Sequence, residues 1–251
     1  LNPTSCEPFA TAGALNGGGA DPTNPAAFSS VAVSVPFRTT ECEALKFRPQ
    51  LSMRLLGGRN STKRSRFPAL RAVLRARPGD ANVRRAAVIL PHSEFLAQAH
   101  IRTVCTRPQL AAGACPARSV YGHAKAKTPL LDEELAGPVY LVPGGNELPD
   151  LVADLRGQVN VRLRGVVSAA KARIKTVFFP VPDVPVTEFT LTMQGGKKGL
   201  LENSRDLCAR SSFSSLNFEA HNGKKLRRKR VPLKAAGCRG KPRSTARQAR
   251  D

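Results

Sequence analysis

Apolar and polar residues alternate along most of this chain in short runs, with Gly and Pro standing between the runs. Leu51–Leu56 alternates and stops at Gly57-Gly58. Ala69–Arg77 sets Arg71, Arg75 and Arg77 against apolar neighbours, turns at Pro78-Gly79-Asp80 and returns as Val83–Leu90. Val120–Lys127, Gly137–Val142, Leu151–Arg156, Gln158–Val167, Lys171–Phe179 and Thr187–Gln194 add further runs. Period-two runs of this length predict strands, and turn residues at this spacing predict an all-β fold. The expected architecture is an Ig-like or similar β-sandwich with one short helix and disulfide-clamped β-hairpins; a strand-rich α+β domain is the alternative. The helix is expected at Ser93–His100, with Ser93 as N-cap and Phe95, Leu96 and Ala99 on one side.

Six cysteines bear on compartment and organisation: Cys6, Cys42, Cys105, Cys115, Cys208 and Cys238. The count is even, no CxxC pair occurs, and none of the four His stands at finger spacing from a Cys, so disulfides are favoured over zinc. Reduced structural thiols in a cytosolic protein are the competing reading. Two segments echo each other. Val35-Pro36-Phe37-Arg38 runs to Cys42 as Val231-Pro232-Leu233-Lys234 runs to Cys238, with the same offset from Val to Cys. Upstream, Leu1–Cys6 echoes Leu201–Cys208 with small insertions. Each segment contains a β-like run, a Gly turn (Asn16-Gly17-Gly18-Gly19 or Asn222-Gly223) and a returning run. The repeated unit is Cys–strand–turn–strand–Cys, which implies Cys6–Cys42 and Cys208–Cys238 and leaves Cys105–Cys115 as a short clamp. Disulfides imply an oxidising, secreted or cell-envelope location. The repeat also implies an organisation: 1–42 is a clamped hairpin completing a preceding module, 43–238 is a β-sandwich module with closing hairpin 208–238, and 239–251 is a disordered basic tail. A chain opening at Leu1 in the middle of such a repeat reads as a processed form or an excised segment.

Composition excludes some classes. Apolar residues make up 41% of the 251 residues, too many for a disordered chain. No apolar run nears the roughly 20 residues of a membrane helix. Charge is unevenly placed: of the net +22, residues 43–90 carry +10 and residues 224–251 carry +11. Lys224, Lys225, Arg227, Arg228, Lys229, Arg230, Arg239, Lys241 and Arg243 are the candidate polyanion contacts, against a merely solvated surface. An anionic wall polymer or glycan is the expected partner. Nucleic acid is disfavoured, since the chain has no Trp and only two Tyr to stack on bases.

Catalytic motifs are missing: there is no GxSxG elbow, HExxH or P-loop. Gly195–Gly199 (GGKKG) reads as a turn. His92, Ser93 and Glu94 are adjacent in sequence, which does not make a triad. Asp132-Glu133-Glu134 lacks the spacing of a calcium loop. Asp150 and Asp154 read as turn and exposed strand residues. No catalytic residue, metal or cofactor is expected.

The opening LNPTSC, Cys105–Leu130, Gly137–Leu141, Glu147–Gly165 and Thr190–Cys208 resemble a group of uncharacterised secreted repeat proteins of high-GC, actinobacterial-type bacteria. The resemblance covers most of 1–238. It implies similar modules in tandem along a longer exported chain, and it implies no activity, ligand or catalytic residue. The expected role is a non-enzymatic structural or adhesive module of a larger envelope or extracellular protein. A secreted hydrolase with an unrecognised site and a polyanion-binding module are the alternatives. A deep pocket gathering His92, His100 and a carboxylate would favour the hydrolase.

Overall fold

A computed structural model describes residues 2–238 apart from 20, 25 and 146. The tail, with Arg239, Lys241 and Arg243, lies outside the described residues. In chain order the strands are β1 (Phe9–Gly18), β2 (Phe28–Phe37), β3 (Gln50–Leu56), β4 (Ala69–Arg75), β5 (Val83–Ile89), β6 (Glu94–Leu96), β7 (Val120–Lys127), β8 (Leu135–Val142), β9 (Asp150–Leu155), β10 (Val161–Ala170), β11 (Arg173–Phe178), β12 (Glu188–Met193), β13 (Leu201–Asn203), β14 (Ser212–Ala220) and β15 (Lys225–Ala235). Bridges join Cys6 to Cys42, Cys105 to Cys115 and Cys208 to Cys238.

The protein is mostly β, and its main sheet is a closed barrel rather than the expected two-sheet sandwich. Eleven strands follow one another in the order β10-β11-β5-β14-β15-β3-β4-β12-β7-β8-β9, and β9 pairs back onto β10. Every neighbouring pair is antiparallel except β15–β3. Alternation could not decide between the two architectures, because a sandwich and a barrel both ask for one apolar face per strand. Here that face points inward: Met53 and Leu55 on β3, Ala124 and Ala126 on β7, and Leu151, Ala153 and Leu155 on β9 all belong to one core. Between them, Arg54, Lys125, Lys127, Arg162 and Arg164 are exposed. Apolar-in and charged-out is the reverse of a membrane-spanning barrel. None of the described helices is long and apolar enough to cross a membrane.

Two further local expectations change. Glu94–Leu96 is strand β6, paired with β13, and only Gln98–His100 turns as a 3-10 segment. The Ser93 hydroxyl donates to Ser212 Oγ (2.8 Å) instead of capping a helix. The short ladder wins because it satisfies backbone groups that an isolated turn would leave open. Among the described residues the one α-helix, α1 (Arg107–Ala111), lies inside the Cys105–Cys115 loop. Thr106 and Gln109 form a reciprocal capping box and Pro108 sits in its first turn, signals present in T-R-P-Q. This clamped loop covers the outer face of β8–β9, where Cys105, Tyr140, Val142 and Val152 make a small second core.

Asp150 and Asp154 are buried, not exposed. Asp154 receives Arg156 (2.7 Å) and Arg162 (2.9 Å), and Asp150 receives Arg164 (2.5 Å). Burial opposes the Asp154 charge, but the two arginines outweigh it and hold the carboxyl below its ordinary pKa. In the first hairpin, Asn16-Gly17-Gly18 continues β1 instead of turning; the turn falls between Gly18 and Phe28.

Candidate functional site: the barrel lumen

An eleven-stranded barrel is wider than the eight-stranded kind that side chains can just fill. Several inward positions here are small. Ala72 on β4, Ala86 on β5 and Ala126 on β7 line open space instead of closing it. Two chambers result, of about 140 Å³ and about 350 Å³. Leu74, Ala86, Phe178 and Phe189 border both, so the chambers adjoin at these residues. Phe178 and Phe189 meet edge to face, centroids 6.5 Å apart, and form a waist. Gly165 on β10 makes this possible: a Cβ there would lie 2.8 Å from the Phe178 ring. The lining is apolar apart from Thr176, Asn82 and Thr128.

The smaller chamber is bordered by Leu96 of β6 and by Leu200 and Leu201 at β13, the two-stranded piece at that end. Glu94, at the root of β6, is fully buried, and neither carboxyl oxygen has a hydrogen-bond partner. Burial pushes its pKa up to about 8, with Ser93 and Arg205 only partly offsetting that. A carboxyl so placed is held neutral at pH 7.

The larger chamber is bordered by Leu130, Val159 and Val184, each roughly half exposed. The connection from β11 to β12 supplies Val184 and is tied down by Asp183. That carboxylate accepts from the Thr4 amide (2.8 Å), the Thr4 hydroxyl (2.7 Å), the Ser5 amide (2.8 Å) and Asn82 Nδ2 (2.8 Å). Burial works against its charge, yet these four donors and the neighbouring His221 keep its pKa below the usual carboxylate value. One side chain thus pins the N-terminal arm, the β4–β5 turn and the rim of the larger chamber together.

The barrel wall has a weak seam. β15 and β3 pair only at Leu233–Ala235 with Met53–Leu55. Beyond that register a depression opens, bordered by Arg48, Arg77, Arg228 and Arg230 and floored by Leu51, Leu216 and Leu226. Leu51 also lines the smaller chamber. Arg228 stands opposite inward-facing Leu216 in the β14–β15 register, and the Arg230 guanidinium lies 4.2 Å over the Phe213 ring. Both basic blocks of the sequence meet here. Of the candidate polyanion contacts, Arg228 and Arg230 join this group; Lys225, Arg227 and Lys229 are exposed along β15, and Lys224 donates to the Leu45 carbonyl.

Of the residues considered for chemistry, His92 is exposed, Glu94 is buried apart from it, and the others are engaged elsewhere. His100 Nδ1 lies 2.8 Å from the Gly199 carbonyl oxygen and its ring packs on Phe67. Ser93 bonds Ser212, and Glu134 pairs with Lys125. Gly196–Lys198 is a 3-10 turn whose Lys198 donates to the Val120 carbonyl. Among the described residues, the one cluster of potential metal ligands is Cys6, Cys42 and Glu43, and both its sulfurs are committed to a disulfide.

The lumen is absent from the sequence-derived candidates. Its only signal is the small residues at inward parity, Ala72, Ala86, Ala126 and Gly165, which read equally well as tight packing. Comparison with protein-family models, curated proteins and solved structures finds no match for this chain.

Proposed function

We propose that this chain is an exported, non-enzymatic binding module whose barrel holds an amphiphile, with the apolar tail in the lumen and an anionic head at the arginine-bordered seam. The apolar two-chambered lumen is the observation that carries this reading. At about 350 Å³ its larger chamber falls within the range of small-molecule sites, roughly 300–1,000 Å³. An apolar cavity of this kind takes up apolar solutes because its lining offers water few polar partners. Arg48, Arg228 and Arg230 supply the charge for a carboxylate or phosphate head, and Leu51 joins their depression to the lumen. Three disulfides fit an extracytoplasmic setting. Placement within a larger envelope or extracellular protein belongs to the same proposal.

The test is calorimetric titration of the folded protein with a long-chain fatty acid and the matched fatty alcohol. Both are expected to bind. Ala86→Phe, which fills the waist, should abolish binding of both. Arg228→Glu with Arg230→Glu should weaken the acid about tenfold and leave the alcohol unchanged. A folded barrel that binds neither compound would overturn the proposal.

A further inference from the structure

The β1–β2 hairpin stands outside the barrel with an apolar face uncovered. Cross-strand partners share a face, so Phe9, Thr11, Gly13 and Leu15 lie with Phe37, Val35, Val33 and Val31. Phe9 and Phe37 stack at 5.4 Å on this side. Leu15 and Val35 are both 65% exposed. The opposite face is Ala, Ser and Asn for most of its length, and neither strand carries a charge. Among the described residues, neither outer edge of the hairpin is paired. Uncharged ten-residue edges beside an apolar face are what a soluble protein ordinarily avoids, because they recruit further strands.

The same hairpin occurs a second time in this chain, seated. Val35-Pro36 and Val231-Pro232 stand at the same offset from the closing Cys42 and Cys238. Pro36 lies opposite Ala10 and Pro232 opposite Phe213, so the pairing beside the closing cysteine agrees as well as the motif; between Ser214 and Leu216 a bulge then shifts β14–β15, where β1–β2 stays regular. Aligned this way, Phe37 falls on Leu233 and Val35 on Val231. Leu233 is buried in the barrel core, and β14–β15 is held between β5 on one edge and β3 on the other. At the end next to the closing cysteine, the uncovered face of β1–β2 is therefore the face that its counterpart turns into a barrel.

We propose that β1–β2 is a donor hairpin: it completes another barrel of this same kind, one lacking its own closing hairpin, by inserting between the strands equivalent to that barrel's β5 and β3. The partner's chemistry follows from the seat of β14–β15. It is an open sheet with an apolar concave face, one edge to be met antiparallel and the other parallel. This chain's own barrel does not qualify, because β14–β15 already fills the gap. The interaction is independent of what the lumen binds.

The experiment is a fusion in which residues 43–207, a barrel without its closing hairpin, precede the intact chain. Hydrogen exchange is followed by mass spectrometry in peptides covering 9–18 and 28–37. In the unfused chain these amides should exchange freely. In the fusion they should slow by about 100-fold or more, as expected for strands in a cooperative sheet. Val33→Asp with Val35→Asp should abolish that protection and leave the downstream β14–β15 amides unchanged. Free exchange of β1–β2 in the fusion, or an upstream segment that stays unfolded beside an intact downstream barrel, overturns the proposal. So does equal protection in the doubly substituted fusion. Concentration-dependent dimerisation of the unfused chain with β1–β2 protected also overturns it, assigning the hairpin to exchange between copies.

Discussion

The two clamped hairpins share a motif, the pairing beside the closing cysteine and a covalent closure, and differ in everything around them. Loops of 36 and 30 residues are closed by Cys6–Cys42 and Cys208–Cys238. One hairpin forms two strands of an eleven-stranded wall; the other pairs with no further strand among the described residues. Local chemistry thus suffices to make the ribbon, and only its neighbours decide whether its apolar face is a core or an uncovered surface. Their roots differ too. β14 begins at Ser212, bonded to Ser93 beside the buried Glu94, whereas the arm leading to β1 is pinned by Asp183.

The largest contrast is expected at these roots as pH changes. The Glu94 pKa is raised in the folded state, so its favourable contribution is complete below about 4.5 and is lost as pH rises through about 8. At roughly 1.4 kcal/mol per pKa unit the loss is on the order of 4 kcal/mol. Denaturant titrations at pH 5 and pH 9 should show it, and Glu94→Gln should remove the difference. An equal pH dependence in that variant would mean that another group is responsible. Asp183 acts in the opposite direction: its lowered pKa adds stability above the usual carboxylate range that is lost as pH falls through its folded value. Asp183→Asn should flatten the acid limb and speed exchange at the Thr4 and Ser5 amides.

Next in size is a matched pair of substitutions. Leu233→Asp buries a charge in the barrel core and should cost about 4 kcal/mol or more, whereas Val35→Asp at the equivalent exposed position should cost about 0.5 kcal/mol or less. Chemical denaturation of both variants checks this, and equal costs would show that β1–β2 is covered in the isolated chain. The disulfides give a smaller contrast. Loop-closure entropy predicts nearly equal effects for loops of 36 and 30 residues, about 3.7 kcal/mol each. Only β14–β15 belongs to the barrel, so replacing Cys208 and Cys238 by Ser should lower global stability by about that amount. The same change at Cys6 and Cys42 should act mainly on local exchange within β1–β2.

Much of the barrel wall is legible in the residue pattern alone. Val120–Lys127 is the same as strand and as sequence run, and the runs at Leu51–Leu56 and Val83–Leu90 differ from β3 and β5 by one end residue. Alternation with period two and Gly or Pro punctuation are local properties, and they act within a few residues. The exceptions have local causes of another kind. Glu94–Leu96 is too short to show a period and is a strand only because β13 lies beside it. The capping box of α1 was written in T-R-P-Q, but no apolar stripe accompanied it. Asp150 and Asp154 read as turn and exposed strand residues because their arginine partners come from β10 and the residue after β9.

By itself, then, the order of residues determined the ribbons: where strands run, which side of each is apolar, and that two Cys-closed hairpins carry the same Val-Pro motif at one offset from the closing cysteine. Tertiary structure alone decided that the ribbons close into a barrel instead of two stacked sheets, that Ala72, Ala86 and Ala126 border a cavity instead of a packed core, and that arginines from both basic blocks meet at one seam. The reason is distance. Backbone and side-chain preferences are set by near neighbours, whereas closure, empty volume and the meeting of like charges depend on residues far apart in sequence, which only the completed fold brings together.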